Sequence, residues 1–204
     1  MIPRDNYRIQ ADQAKQRFLT YDQQKLAAKF GLKTDEAYLY PVMLGRHYRI
    51  CRKSGNMECF RMGRWQDGNS YGEVMTMLDL LCDSREDRWI AGQWKSMESF
   101  GLMFHRNLLE DAADPLARAI DREPERFHRA CRALNGERIS GGDWGYAVEL
   151  FDGLKIGILF WHGDEEFEPR LRWLWDANAK MYLRYETMHF ALGLLKSRLR
   201  EEGI

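Results

Sequence analysis

Apolar positions in the first thirty residues recur every three or four, at Ala11, Ala14, Phe18 and Tyr21 and then at Leu26, Ala27 and Phe30. That period predicts helix, broken once. Thr20 followed three residues later by Gln23 fits a capping box for the second piece, and Gly31 stands where a helix end takes a left-handed residue. From Ala37 the period drops to two. Tyr38, Tyr40 and Val42, then Tyr48 and Ile50, then Met57 to Phe60 predict a three-stranded antiparallel meander, with turns at Leu44-Gly45-Arg46 and from Lys53 to Asn56. Pro41 has no ladder donor, so the first of these strands lies at an edge or is bulged.

After a polar stretch from Gly63 to Ser70, Val74, Leu78 and Leu81 predict an amphipathic helix of about three turns. Met103 to Ile120 and Pro124 to Leu134 read as two more helices, the second with proline in its first turn and Asn135-Gly136 closing it. Strands return at Ala147 to Phe151 and Leu154 to Trp161, joined by Asp152-Gly153, a strong hairpin signal. Leu171, Trp173 and Trp175 alternate with Arg170 and Arg172 in a further strand, and Met188, Leu192, Leu195 and Leu199 stripe a closing helix. Antiparallel strands at both ends around a helical middle predict an α+β class, not the regular alternation of a doubly wound fold. No linker or repeat stands out, so residues 1–204 read as a single domain.

Composition narrows the function classes. With 45% hydrophobic and 30% charged residues the chain lies far from the disordered regime. Its 31 Lys+Arg balance 31 Asp+Glu, which removes the long-range attraction that drives non-specific nucleic-acid binding, so nucleic acid is not an expected partner. Arg46, Arg49, Arg52 and Lys53 are a local exception that reads as a solvated sheet face. The longest apolar run, Leu154 to Trp161, contains Lys155 and falls short of the roughly 20 residues that span a bilayer, so no membrane association is expected. The N-terminus has no secretory pattern, which predicts a cytoplasmic protein. Cys51, Cys59, Cys82 and Cys131 form no C-x-x-C pair, and are read as reduced thiols, not zinc or cluster ligands.

One segment stands out chemically. Trp161-His162-Gly163-Asp164-Glu165-Glu166 ends a buried strand, with Glu168 beyond it and Asp176 ending the next strand. If the hairpin gathers them, Asp164, Glu165, Glu166 and Asp176 are candidate ligands for a divalent cation, or an acid/base pair, with His162 beside them. The plain alternative is a solvated turn in which Asp164 bonds its own backbone. Trp173 and Trp175 share a strand face and Trp161 ends a neighbouring run, so the three are candidates for an aromatic pocket wall; packing alone also accounts for them. His47, His105, His128 and His189 show no metal-ligand spacing, and Ser140 to Gly145 is glycine-rich but opens no helix.

The stretch Ile158 to Phe167, with Leu174-Trp175-Asp176-Ala177-Asn178-Ala179 and Tyr182-Leu183, resembles the closing signature of a family known only as a domain of unknown function. Pro41 to Ile50 resembles that family's Leu-Gly-Arg-x-Tyr hairpin, and Ala91-Gly92-Gln93-Trp94 its Gly-x-Trp step. The resemblance implies an origin among anaerobic bacteria and methanogenic archaea, where some relatives carry a fused module binding a four-iron cluster. It implies a link to redox or one-carbon metabolism, although this chain lacks such a cysteine set, and it draws attention to Asp164, Glu165, Glu166, Asp176 and Tyr182. No reaction, cofactor or catalytic residue is carried over. The expected function is binding of a small molecule or metabolic partner through the acidic turn and tryptophan strand. The alternatives are a metal-dependent or acid/base enzyme using Asp164, Glu165, Glu166 and Asp176, and a regulatory subunit that buries its aromatics in a partner.

Overall fold

The fold is that of a computed structural model, which describes residues 4–101 and 114–204. The first part of the helix expected from Met103, and His105 with it, lies outside the described residues. The chain divides into two compact units, residues 1–88 with 181–194 and residues 89–180 with 195–204.

In the first unit the predicted break is real: α1 (Arg4–Leu19) is followed by α2 (Gln23–Lys29). The N-cap is Asp22, not Thr20, because the Asp22 carboxylate accepts from the backbone N–H groups of Gln24 and Lys25. Gly31 takes φ +59° as expected. The meander is larger than the sequence predicts. Six strands, β1 (Lys33–Thr34), β2 (Tyr38–Tyr40), β3 (Val42–Met43), β4 (Arg46–Cys51), β5 (Met57–Arg61) and β6 (Arg64–Gln66), form one antiparallel sheet in the order β1-β2-β4-β5-β6, with β3 also on β4. Pro41 divides β2 from β3, and its carbonyl still accepts from Tyr48 N at 2.9 Å. Leu44-Gly45 and Met62-Gly63 turn with two positive φ angles each (48° and 68°, 50° and 76°), the type I′ geometry that suits strand twist. Leu39, Tyr48, Ile50, Met57 and Cys59 face a core that α1 and α3 (Tyr71–Asp83) complete with Phe18, Met77, Leu78 and Leu81. Ser70 and Glu73 make a full capping box at the start of α3.

The second unit is a five-stranded antiparallel sheet in the order β7-β11-β10-β9-β8. Its strands are β7 (Trp94–Ser96), β8 (Glu137–Arg138), β9 (Trp144–Phe151), β10 (Leu154–Trp161) and β11 (Arg170–Asp176). The hairpin at Asp152-Gly153 forms as predicted, with φ of 52° and 78°. Helices α4 (Pro115–Arg122) and α5 (Pro124–Ala133) begin with proline where no amide donor is needed. The final helix, α6 (Tyr185–Glu201), belongs to the first unit up to Leu194 and to the second from Leu195. The α+β expectation holds: both sheets are antiparallel, with strands early and late in the chain and a helix closing it. Among the described residues no helix is long and apolar enough to cross a membrane.

Candidate functional site

Strand register decides what the acidic turn can gather. β10 pairs with β11 from Ile156↔Trp175 to Trp161↔Arg170, so residues 162–169 form the loop between them. Asp176 closes the far end of β11. Six residues at about 3.3 Å each put it roughly 20 Å from the turn. Its carboxylate is 4% exposed and fully employed, accepting from Ala91 N (3.0 Å), Gly92 N (2.8 Å) and Asn178 N (2.8 Å). Asp176 therefore holds the Ala91-Gly92 loop in place and is not a neighbour of Asp164, Glu165 or Glu166.

The same alternation separates the tryptophans. Trp173 and Trp175 lie on the face shared by Ile156, Ile158 and Phe160, where they are 7% and 0% exposed. Trp161 points to the opposite face, its ring 5.9 Å from the Arg172 guanidinium. The three make no common wall. Tyr182 is 3% exposed in the first unit, where its carbonyl accepts from Ser84 Oγ.

The turn itself is tightly specified. Asp164 Oδ1 accepts from Glu166 N (2.8 Å) and Phe167 N (2.7 Å), and Asp164 N donates to Phe167 O (2.9 Å), the Asx turn foreseen as the plain reading. Gly163 is required: a Cβ there would meet Pro169 Cδ at 2.8 Å. His162 is anchored on three sides. Its Nδ1 lies 2.8 Å from Asp121 Oδ1 on α4, its backbone N–H donates to Asp143 Oδ2 at 2.7 Å, and its ring stands edge-on to Trp144 (4.4 Å, 81°) and Phe160 (5.1 Å, 81°). A carboxylate only accepts, so Nδ1 carries the proton and Nε2 is the basic nitrogen. Behind it, Trp144 stacks on Phe160 (5.3 Å, 19°), and His128 Nδ1 shares a 2.9 Å hydrogen bond with the Tyr146 hydroxyl. Burial holds the His128 imidazole below its ordinary pKa.

Asp121, Gly163, Pro169 and residues 164–168 line a cavity of about 540 Å³. Five of its side chains are carboxylates: Asp121, Asp164, Glu165, Glu166 and Glu168. Glu168 pairs with Arg118 Nε at 3.1 Å, whereas Glu165 and Glu166 take no ion pair among the described residues. Phe167 adds an aromatic ring that is 69% exposed. Among the described residues no three His, Cys, Asp or Glu side chains are grouped to hold a metal ion. Asp121 is the member that sequence reasoning missed, since it lies over forty residues before the turn and only tertiary packing of α4 brings it there.

The model of the family described as a domain of unknown function (DUF3786) matches residues 22–198. The chain belongs to this family. The match reaches across both compact units of this DUF3786 protein. Searches among curated proteins and solved structures find no match. Two of the segments that carry the resemblance meet within the second unit, where Asp176 receives the amides of Ala91 and Gly92; in the first unit the Leu44-Gly45 turn leads into Tyr48, whose hydroxyl lies 2.8 Å from Glu73 Oε1.

Proposed function

We propose that this protein binds a small organic cation, an amine-bearing metabolite, at the acidic turn. The observation that carries the reading is the pair of unpaired carboxylates, Glu165 and Glu166, beside the exposed Phe167 ring in a cavity lined by three further acids. Carboxylates and an aromatic face attract the same guest. An ammonium group gains Coulomb energy from the first and cation–π attraction of about 0.5–1 kcal/mol from the second. A bare metal ion would leave the ring without a role. The tryptophan strand supports the site from within the core and takes no part in contact.

Calorimetric titration with putrescine and spermidine tests the reading. Saturable binding is expected, weakened about fivefold or more in a Glu165→Gln/Glu166→Gln variant, because each exposed pair contributes roughly 0.2–1 kcal/mol. Equal binding by this variant and the parent protein, or heat that appears only with divalent metal ions, would overturn it.

A second reading, an acid/base enzyme, is favoured by one contact. Asp121, which lines the cavity, orients the His162 imidazole as a buried acid orients the histidine of a catalytic triad, leaving Nε2 as a base on the residue next to the cavity's Gly163. An Asp121→Asn variant separates the two: cation binding falls by no more than its lost charge, whereas turnover of any processed amine collapses.

A further inference from the structure

The sheet of the first unit has a second face. Alternation puts Tyr38, Tyr40, Arg49, Phe60 and Trp65 opposite the buried Leu39, Tyr48, Ile50 and Cys59. These rings meet each other: Tyr38 to Tyr40 at 6.2 Å, Tyr40 to Trp65 at 6.0 Å and Phe60 to Trp65 at 5.2 Å between centroids. β2 and β6 are three strand steps apart, about 14 Å in a flat sheet. A 6.0 Å contact between Tyr40 and Trp65 therefore means that these two rings close over the strands between them, and with Tyr38 and Phe60 they wall an aromatic groove on this face. The Arg49 guanidinium lies in it, 4.4 Å from the Tyr38 ring and 5.0 Å from the Trp65 ring. At the rim Phe60 is 42% and Met62 94% exposed.

The charges around the groove are not balanced as those of the whole chain are. Segment 33–67 carries seven Lys and Arg against four Asp and Glu. Two of the acids are already engaged within the chain. Glu58 is paired with Arg49 at 2.5 Å, and Asp35 accepts from the Tyr40 hydroxyl (2.6 Å) and from Ala37 N and Tyr38 N. Lys33, the register partner of Tyr40, is exposed, as are Lys53 and Arg64, and none of the three takes an ion pair among the described residues. Arg46 and Arg61 share Glu73, so the positive excess over the remaining acids, Glu36 and Asp67, rests on Lys33, Arg52, Lys53 and Arg64.

We propose that this groove binds single-stranded nucleic acid, with bases stacked on Tyr38, Phe60 and Trp65 and phosphates against Lys33 and the neighbouring cations. Every base has a face that stacks on an aromatic ring, so the groove reads no particular sequence. A proline-rich peptide would use the rings alone. The unpaired cations favour a polyanion over it. Overall neutrality, which argues against nucleic acid from composition, averages away this local excess and predicts modest affinity with few phosphate contacts.

The test is fluorescence anisotropy with labelled oligouridine and oligothymidine of about 12 nucleotides, at roughly 50 and 200 mM salt. Saturable binding to both is expected. Trp65→Ala should weaken it about tenfold, in line with roughly 1–3 kcal/mol per stacked base, and Lys33→Glu should lower the salt slope by about one phosphate contact. Phe60→Leu, an exposed apolar exchange that leaves the fold intact, should weaken it severalfold, with near-ultraviolet circular dichroism as the folding control. No binding at low salt, binding unchanged in both aromatic variants, or Trp65-dependent binding of a proline-rich peptide without any of the oligonucleotides would overturn the proposal.

Discussion

At the scale of single residues, Asp164 and Asp176 look alike in sequence and do different work. Asp164 shapes a solvent-facing turn, and the hydrogen bonds of an Asx turn were legible because Asp-Glu-Glu after a Gly is turn chemistry. Asp176 carries three backbone amides in the interior, two of them from a loop more than eighty residues earlier, and nothing local announces that. His128 offers a measurable consequence of burial. Its folded pKa lies below the ordinary histidine value of about 6.5, so the unfolded chain takes up a proton first as pH falls. Stability from the neutral ring is present above that value and is lost as pH drops through it toward the folded pKa. Thermal melts of the parent protein and of His128→Asn between pH 7.5 and about 5 should converge at the acid end. A constant gap across that range would refute the assignment.

Among the elements, long or well-punctuated ones were readable and short ones were not. β9 and β10 were announced by Asp-Gly between two apolar runs, and α3 by its apolar stripe, whereas its Ser70–Glu73 capping box emerged only in the structure. β1, β6 and β7 have two or three residues each, too few for a period, and β7 is defined only by pairing with β11. The face on which Trp161 lies depended on the register across the 162–169 loop, which alternation within one strand cannot fix. The ion cluster that joins α1, α3 and the start of α6 was equally hidden. Asp79, 1% exposed, receives Arg17 Nη2 (2.6 Å), Arg184 Nη2 (3.0 Å) and Thr187 Oγ1 (2.6 Å), while Asp83 takes a second nitrogen of each arginine. Removing Asp79 strands two guanidinium groups at the end of a helix interface. Asp79→Ala should cost about 3 kcal/mol, near the low end for a broken buried pair because Arg184 is 55% exposed and Asp83 remains. Urea denaturation measures this, and a cost below about 1 kcal/mol would show the cluster to be ornamental to stability.

For the molecule as a whole, neither compact unit is one continuous stretch. The chain passes from one to the other after Arg88, after Lys180 and after Leu194, so the last ten residues complete the second unit. They supply Leu195 and Leu199, both 0% exposed, and Lys196, whose ammonium bonds Asp114 at 3.1 Å and lies 5.2 Å from the Trp173 ring. Two buried leucines at about 2–5 kcal/mol each are comparable with a domain's whole stability of about 5–15 kcal/mol. A chain ending at Leu194 should therefore lose the near-ultraviolet signal of its buried tryptophans, and a truncated protein that melts cooperatively with that signal intact would contradict the division. The first sheet contrasts with this dependence on the last residues. All six of its strands lie within residues 33–66 and pair through neighbouring turns. Such short sequence separations make loop closure cheap and favour early formation. During synthesis this sheet has all its strands once Gln66 has left the ribosome, while the second sheet must wait for β11, so every ring of the aromatic groove is synthesised long before the acidic turn exists.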